Sequence, residues 1–315
     1  MAVNRVLVLR ALGLGDLLVA VPALRALRSA FPLARITLAA PEPLRDLAEL
    51  TGAVDELLPT AGLGALHWPG PAPDLAVNLH GSGPESIADL LATRPWRLCT
   101  HRHPAFPDLP GPAWQENSHE TDRWCRLLDY HGIPADPGAL ELSRPDVPSP
   151  APGAVVVHPG AAFPARRWPP DRYAAVARAL AEDGHRVVVT GTGAEAELAE
   201  RVAAEAGLGA DAVLAGRTGL AELAALVADA ALLVCGDTGI GHVATAYGTP
   251  SVLLFGPTSP GRWGPPPDRD RHVVLWAGRV GDPFAGSPDP GLLRIAVPDV
   301  LEAVRRMRIR GLCHG

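Results

Sequence analysis

Lysine is absent from the 315 residues, and all 28 basic side chains are arginine. Together with 34 prolines and 33 glycines this reads as the codon usage of a GC-rich genome, and it excludes no fold. Cysteine is scarce: Cys99, Cys125, Cys235 and Cys313 stand far apart with no CxxC pair, which argues against a zinc site and a disulfide framework. No apolar run reaches the roughly 18 residues that a membrane span needs. An excess of positive charge is missing too. The formal net charge is −6, whereas a nucleic-acid binder carries a basic domain. The opening residues MAVNRVLVLR are not expected to form a signal peptide, because the apolar stretch is short and Arg10 interrupts it. The expectation is therefore a cytoplasmic protein with no nucleic-acid partner and at most peripheral contact with a membrane.

What is present is a globular composition: 47% hydrophobic and 20% charged residues, with a mean hydropathy of +0.12. The length favours two domains of about 150 residues each. Short β-branched and Leu-rich runs alternate with Ala-rich helical stretches. Strands are expected at 5–10, 35–40, 74–79 and, more weakly, 54–58. In the second half they are expected at 154–158, 186–190, 212–215, 231–235, 251–255 and 272–276. Helices are expected at 22–30, 43–51, 119–131, 170–183, 194–206, 220–228, 240–247 and 298–308. Apolar runs of strand length fit parallel strands buried on both faces, and the alternation with helices fits open α/β sheets. The segment 143–153, SRPDVPSPAPG, holds four prolines in eleven residues and reads as a linker. Two Rossmann-like domains are expected, residues 1–145 and 152–315, facing a central cleft, with the last helix packing back on the first domain. The Pro/Gly-rich stretch 257–271 reads as a surface loop.

Three segments carry chemistry. Gly13-Leu14-Gly15-Asp16 follows the first strand. It falls short of a dinucleotide fingerprint, since Leu18 stands where the third glycine belongs and no acidic residue ends the second strand. Asp16 reads either as a helix cap or as a general base, because open α/β sheets place ligands at the carboxyl ends of their strands. His158-Pro159-Gly160-Ala161-Ala162 followed by Arg166-Arg167-Trp168-Pro169 puts a glycine loop and two arginines just before a helix. Cations there oppose the helix dipole, and an anionic ligand would justify them. Gly236-Asp237-Thr238-Gly239-Ile240-Gly241-His242 opens a helix after an apolar strand and offers backbone N–H groups to a diphosphate. Its plainer reading is an Asp/Thr cap and a tight turn. Glu195 reads equally as a ribose ligand or as a first-turn glutamate. The triplet Asp268-Arg269-Asp270 spells a metal-binding DxD but lies among prolines and charges, and is taken as chance.

Taken together these segments resemble glycosyltransferase family 9, the heptosyltransferase family. The resemblance lies in Gly15-Asp16 with Pro22-Ala23-Leu24, in Asn78-Leu79-His80-Gly81-Ser82, in His158-Pro159-Gly160 with Arg166-Arg167-Trp168-Pro169, and in Asp237-Thr238-Gly239 and His242 with Phe255-Gly256-Pro257-Thr258. It runs in order from about residue 5 to about residue 265. It implies the GT-B architecture and an inverting, metal-independent transfer from a nucleotide sugar, normally ADP-heptose, to a glycan or small-molecule acceptor, with no cofactor. Asp16 would be the general base. Gly160, Ala161, Arg166 and Arg167 would meet the diphosphate, Glu195 the ribose and Thr218 the adenine. Asp237, Thr238, Gly239, Ile240 and His242 would surround the diphosphate and the sugar. His80, Ser82 and Arg102 are the acceptor-side candidates. A sugar-nucleotide epimerase of similar fold, a family member using another nucleotide sugar, and an ADP-binding module without chemistry are the alternatives. Residues 1–150 hold 12 Arg against 17 Asp and Glu, a net of −5. That balance favours a neutral glycan or secondary metabolite over the phosphate-rich lipopolysaccharide core as acceptor. The basic segment Arg94, Arg97, His101, Arg102 and His103 keeps that core in play.

Overall fold

The protein is described by a computed structural model that covers residues 2–267 and 270–307. Cys313, the end of the expected 298–308 helix, and Asp268 and Arg269 of the DxD triplet lie outside the described residues. The chain divides into two compact units, Met1–Ser143 and Arg144–Gly315. The proline-rich segment 143–153 carries neither helix nor strand.

The first unit runs β1 (Arg5–Leu9), α1 (Leu14–Val19), α2 (Val21–Ala30), β2 (Arg35–Ala40), α3 (Arg45–Leu50), β3 (Glu56–Pro59), β4 (Leu75–Asn78), α4 (Pro84–Ala92), β5 (Arg97–Cys99) and α5 (Glu120–Tyr130). Its strands form one parallel sheet in the order β3-β2-β1-β4-β5. The winding reverses between β1 and β4, where Leu9 lies opposite Asn78. Val6, Leu7, Val8 and Leu9 are wholly buried, so this strand reads as an unbroken apolar run rather than an alternating one. Pro22 sits in the first turn of α2, and this separates α2 from the short α1.

The second unit runs β6 (Val155–His158), α6 (Pro170–Glu182), β7 (Val187–Val189), α7 (Ala196–Ala206), α8 (Leu220–Asp229), β8 (Leu232–Gly236), α9 (Gly239–Tyr247), β9 (Ser251–Phe255), α10 (Pro260–Trp263), β10 (His272–Trp276), α11 (Pro290–Leu293) and α12 (Val297–Arg306). The sheet order is β10-β9-β8-β6-β7, again parallel. Here the reversal falls between β6 and β8, with His158 opposite Cys235. Val155, Val157, Trp168, Tyr173, Val234 and Leu254 are buried in the core of this unit. α12 adds Val300, Ala303 and Val304 to the same core.

Two expectations change. No strand forms at 212–215. Residues 210–212 make a 3-10 turn, and the pairing shrinks to one parallel bridge between Val189 and Val213. Gly216, at φ +70°, turns the chain away directly afterwards. The loop at 257–271 contains α10, which Ser259 caps by accepting the Gly261 N–H at 3.2 Å. No described helix is long and apolar enough to cross a membrane.

Candidate functional site

In the second unit, four loops leave the carboxyl ends of adjacent strands around the β6–β8 reversal, the place where open α/β sheets bind ligands. The loop after β6 carries Gly160, Ala161 and both arginines. Gly236 at the end of β8 has no room for a side chain, since a Cβ there would lie 2.9 Å from the Arg166 carbonyl oxygen. This close approach brings Arg166 against Asp237. Asp237 is buried, which raises its carboxyl pKa, while the Arg166 charge and a hydrogen bond from Thr258 pull the other way. The half-buried Arg166 guanidinium lies 5.4 Å from the centre of the Phe163 ring, and its Nε has no hydrogen-bond partner among the described residues. Arg167 is placed differently. Its Nε donates to the Ala161 carbonyl at 2.8 Å and ties the glycine loop down.

Thr238 is the N-cap residue of α9, yet its side chain makes no capping bond. The first N–H groups of that helix therefore face the reversal point without an intrahelical partner, and their partial positive charge adds to that of Arg166. Ile240 is buried at 1% exposure, so it offers its backbone N–H and not its side chain. The His242 ring lies on α9, 6.2 Å from the Trp263 ring.

Glu195 stands in the loop after β7. It closes a capping box, its Oε2 accepting the Thr192 N–H at 2.8 Å and the Thr192 hydroxyl at 2.9 Å. Its other oxygen lies over Gly160, where a Cβ would come within 2.2 Å of Oε1. It is thus both a first-turn cap and a carboxylate against the anion loop. His158 is buried beside it, with Nδ1 3.0 Å from the Thr190 hydroxyl. Burial lowers the His158 pKa to about 4, against the opposing Glu195 charge. Thr218 is half-buried in a loop that approaches the Glu195 loop, where Gly216 N–H donates to the Gly191 carbonyl at 3.0 Å.

In the first unit, Asp16 lies at the β1–β4 reversal. It is not the cap of α1: the N-cap residue is Gly13, and Asp16 is the third residue of the helix. Its partner is Arg10, which is 1% exposed. Arg10 Nε donates to the Asp16 carbonyl at 2.9 Å, Nη2 lies 3.3 Å from Asp16 Oδ1, and Nη1 donates to the Leu79 carbonyl. His80 follows Leu79, with its N–H bonded to Asn78 Oδ1 at 3.1 Å. Burial and the Arg10 charge lower the His80 pKa, and the Asp16 charge opposes them. Ser82 is half-buried in the same loop, whereas Arg102 is exposed beyond β5, its N–H donating to the Pro112 carbonyl.

The structure thus gathers Gly160, Arg166, Asp237 and Thr238 at one reversal, with Glu195 against Gly160, and sets Asp16 and the His80 loop around Arg10 at the other. Arg10 and its neighbour Trp124 escaped sequence reasoning. The available signal was an arginine ending a fully apolar strand.

Comparison with known proteins agrees with this geometry. Residues 135–280 match the family model for glycosyltransferase family 9 (heptosyltransferase). Lipopolysaccharide heptosyltransferase 1 of Pseudomonas aeruginosa is 37% identical over 47% of this chain and 42% of its own length. Lipopolysaccharide heptosyltransferase 2 of Salmonella typhimurium is 27% identical over 96% of this chain and 98% of its own. The family match covers just under half of the chain, and the relative matched over its full length is 27% identical. The solved structures similar to this chain include the family 9 glycosyl transferase from Veillonella parvula, with a TM-score of 0.79 at 22% identity over 96% of this chain and 97% of that one. They also include the E. coli ADP-heptose lps heptosyltransferase II, with a TM-score of 0.76 at 23% identity over 96% and 98%. The fold class is GT-B, built from two Rossmann-like α/β units. The chain matches less than half of the length of the Pseudomonas protein and of the lipopolysaccharide heptosyltransferase 2 of Escherichia coli.

Proposed function

We propose that this chain is a member of glycosyltransferase family 9, an inverting, metal-independent glycosyltransferase that moves a heptose from ADP-heptose to an acceptor hydroxyl. The observation that carries the reading is the anion cradle of the second unit, in which Arg166 and the uncapped amino end of α9 meet beside Asp237. A diphosphate supplies the negative charge that such a cradle lacks. Glu195 lies where it can accept ribose hydroxyls, and the Thr218 loop beside it takes the adenine. Relatives bearing heptosyltransferase names support the sugar.

In this reaction the acceptor oxygen attacks the anomeric carbon as the bond from that carbon to the ADP oxygen breaks, so configuration inverts. The acceptor proton passes to Asp16, an assistance worth about 10²–10⁴-fold. ADP leaves with an extra negative charge, which Arg166 and the α9 N–H groups stabilise. The positive field is the protein's own, and no cofactor takes part.

For the acceptor, the names of the curated relatives draw toward the lipopolysaccharide core, and the exposed Arg94, Arg97 and Arg102 offer cations to its phosphates. The net charge of −5 over residues 1–150 draws toward neutral acceptors. Incubation with ADP-heptose, with and without a lipid A-linked core or a neutral glycan, tests the reading. ADP release and an inverted anomeric linkage only when acceptor is present support transfer. Donor turnover without acceptor overturns it in favour of an epimerase. Salt-sensitive transfer to the anionic core selects that acceptor.

A further inference from the structure

The reversal point of the first unit is occupied by a buried protein cation to which the transfer steps above give no role. Arg10 ends β1 at 1% exposure, among the largest fully buried side chains of the molecule. Burying a guanidinium without partners is costly, so its contacts account for its presence. All of its side-chain acceptors belong to the first turn of α1 and the loop after β4, which flank the reversal. Nε and Nη2 hold the backbone and the carboxylate of Asp16, and Nη1 holds the carbonyl of Leu79, directly before His80. A planar fork can reach three acceptors in fixed directions; an ammonium cannot.

The fork itself is braced from α5. Its Cζ lies 4.7 Å from the centre of the Trp124 ring, and Trp124 packs edge-on against His101 and Trp114. Arg123 stacks 3.7 Å over Trp114 and pairs with Glu120 at 3.0 Å. The ring under Arg10 is therefore wedged between aromatic neighbours and a buried ion pair. With Oδ1 held by Arg10, Oδ2 of Asp16 has no hydrogen-bond partner among the described residues, and it lies 3.7 Å from where a Gly13 Cβ would stand.

We propose that Arg10 is a positioning residue: it fixes the Asp16 carboxylate with one oxygen directed at the acceptor. The inference rests on the reading of Asp16 as the general base. Arg10 touches no substrate and acts through Asp16 alone.

The test is a double-mutant cycle with transfer from ADP-heptose as the assay. Arg10→Met should lower kcat about 100-fold, and Arg10→Lys, which keeps the charge but loses the fork, about 10-fold. The donor KM should change less than threefold in both. In an Asp16→Asn background neither substitution should slow turnover by more than about threefold further, because the group they position is gone. Full additivity of the two losses, or wild-type kcat in Arg10→Lys, would overturn the proposal. If Arg10→Met fails to fold, the Arg10→Lys arm of the cycle decides by the same criteria. Wild-type turnover in Asp16→Asn alone is a different result: it removes Asp16 as the base, and with it the role that Arg10 is proposed to support.

Discussion

The two units solve one topological problem in opposite ways. In each, the first strand lies at the point where the winding reverses, β1 beside β4 and β6 beside β8. Once the Val189–Val213 bridge is counted as the remnant of a third strand, the second sheet runs 3-2-1-4-5-6, which repeats the 3-2-1-4-5 order of the first and adds β10 at its edge. Yet the first unit fills its reversal point with the Arg10 side chain, bonded to α1 and to the loop after β4, whereas the second is open only in having glycines there, Gly160 under the Glu195 carboxylate and Gly236 under the Arg166 backbone. One point is built around a buried cation and its carboxylate; the other around glycine backbone, with Arg166 against Asp237. A repeated fold therefore supplies a platform, and a few residues after the first strand decide its chemistry.

The largest expected effect probes the filled point. Asp16→Asn should lower kcat about 100-fold or more with only a modest fall in melting temperature, because asparagine keeps an Oδ1 acceptor for the buried Arg10 and Gly13, not Asp16, caps α1. A fall in melting temperature with activity retained would return Asp16 to a structural role.

Next comes pH, which acts on both units alike. His101 in the first and His158 in the second are buried, and both have pKa values lowered from 6.5 to about 4, chiefly by that burial. Above pH 6.5 neither folded nor unfolded chain protonates them. Between about 6.5 and 4 only the unfolded chain does, so stability falls as pH drops through that window and levels off below it. Each histidine can contribute up to about 1.4 kcal/mol per pH unit. Urea midpoints measured from pH 7 to 4 should show this slope, and His158→Gln should flatten it for the second unit alone. A flat profile in the parent protein would mean that neither imidazole is held neutral.

The open point is sharpened by the arginine pair. Arg166→Ala should weaken ADP binding about 10- to 100-fold, the loss of one charge-assisted hydrogen bond. Arg167→Ala should cost only about threefold, since its Nε holds the Ala161 carbonyl. Calorimetric titration with ADP compares the two, and equal losses would break the distinction. Smallest in binding terms is Gly236→Ala. Its Cβ would press on the Arg166 backbone, so it should lower stability by about 1–3 kcal/mol while altering ADP affinity less than Arg166→Ala. Unfolding midpoints and the same titration check this.

The sequence revealed what repeats along the chain and concealed what meets across it. Buried parallel strands such as β1, β6 and β8 were legible because each is a continuous apolar run, and the glycine loops after them were legible as punctuation. β5 was not, since Arg97–Cys99 is three residues long with an exposed arginine at its start. α4 was missed although Pro84 opens it, because the Gly-Ser-Gly-Pro run before it reads as loop. The 212–215 strand was over-read, because apolar composition does not show that a glycine at φ +70° will end the pairing after one bridge. In the site, Glu195 was an even choice between cap and ligand; the structure shows the cap, with Oε2 bonded to Thr192 and the carboxylate lying over Gly160. Arg10 was invisible for a different reason. Its partners Asp16, Leu79 and Trp124 are 6, 69 and 114 positions away, and only the packed sheet unites them.

The way α12 enters the core bears on how the protein is made. Trp168, next to the Arg166-Arg167 pair, donates its indole N–H to the Ile295 carbonyl at 3.0 Å, and Val300, Ala303 and Val304 complete the packing around it. On a ribosome the first unit can close as soon as α5 has emerged, long before the chain ends. The second cannot, because the residues that pin Trp168 are nearly the last described ones to be synthesised. The Arg166-Arg167 loop is therefore fixed in place only after residues 295–304 have been made, well after the first turn of α1 has its partners in β1 and the loop after β4.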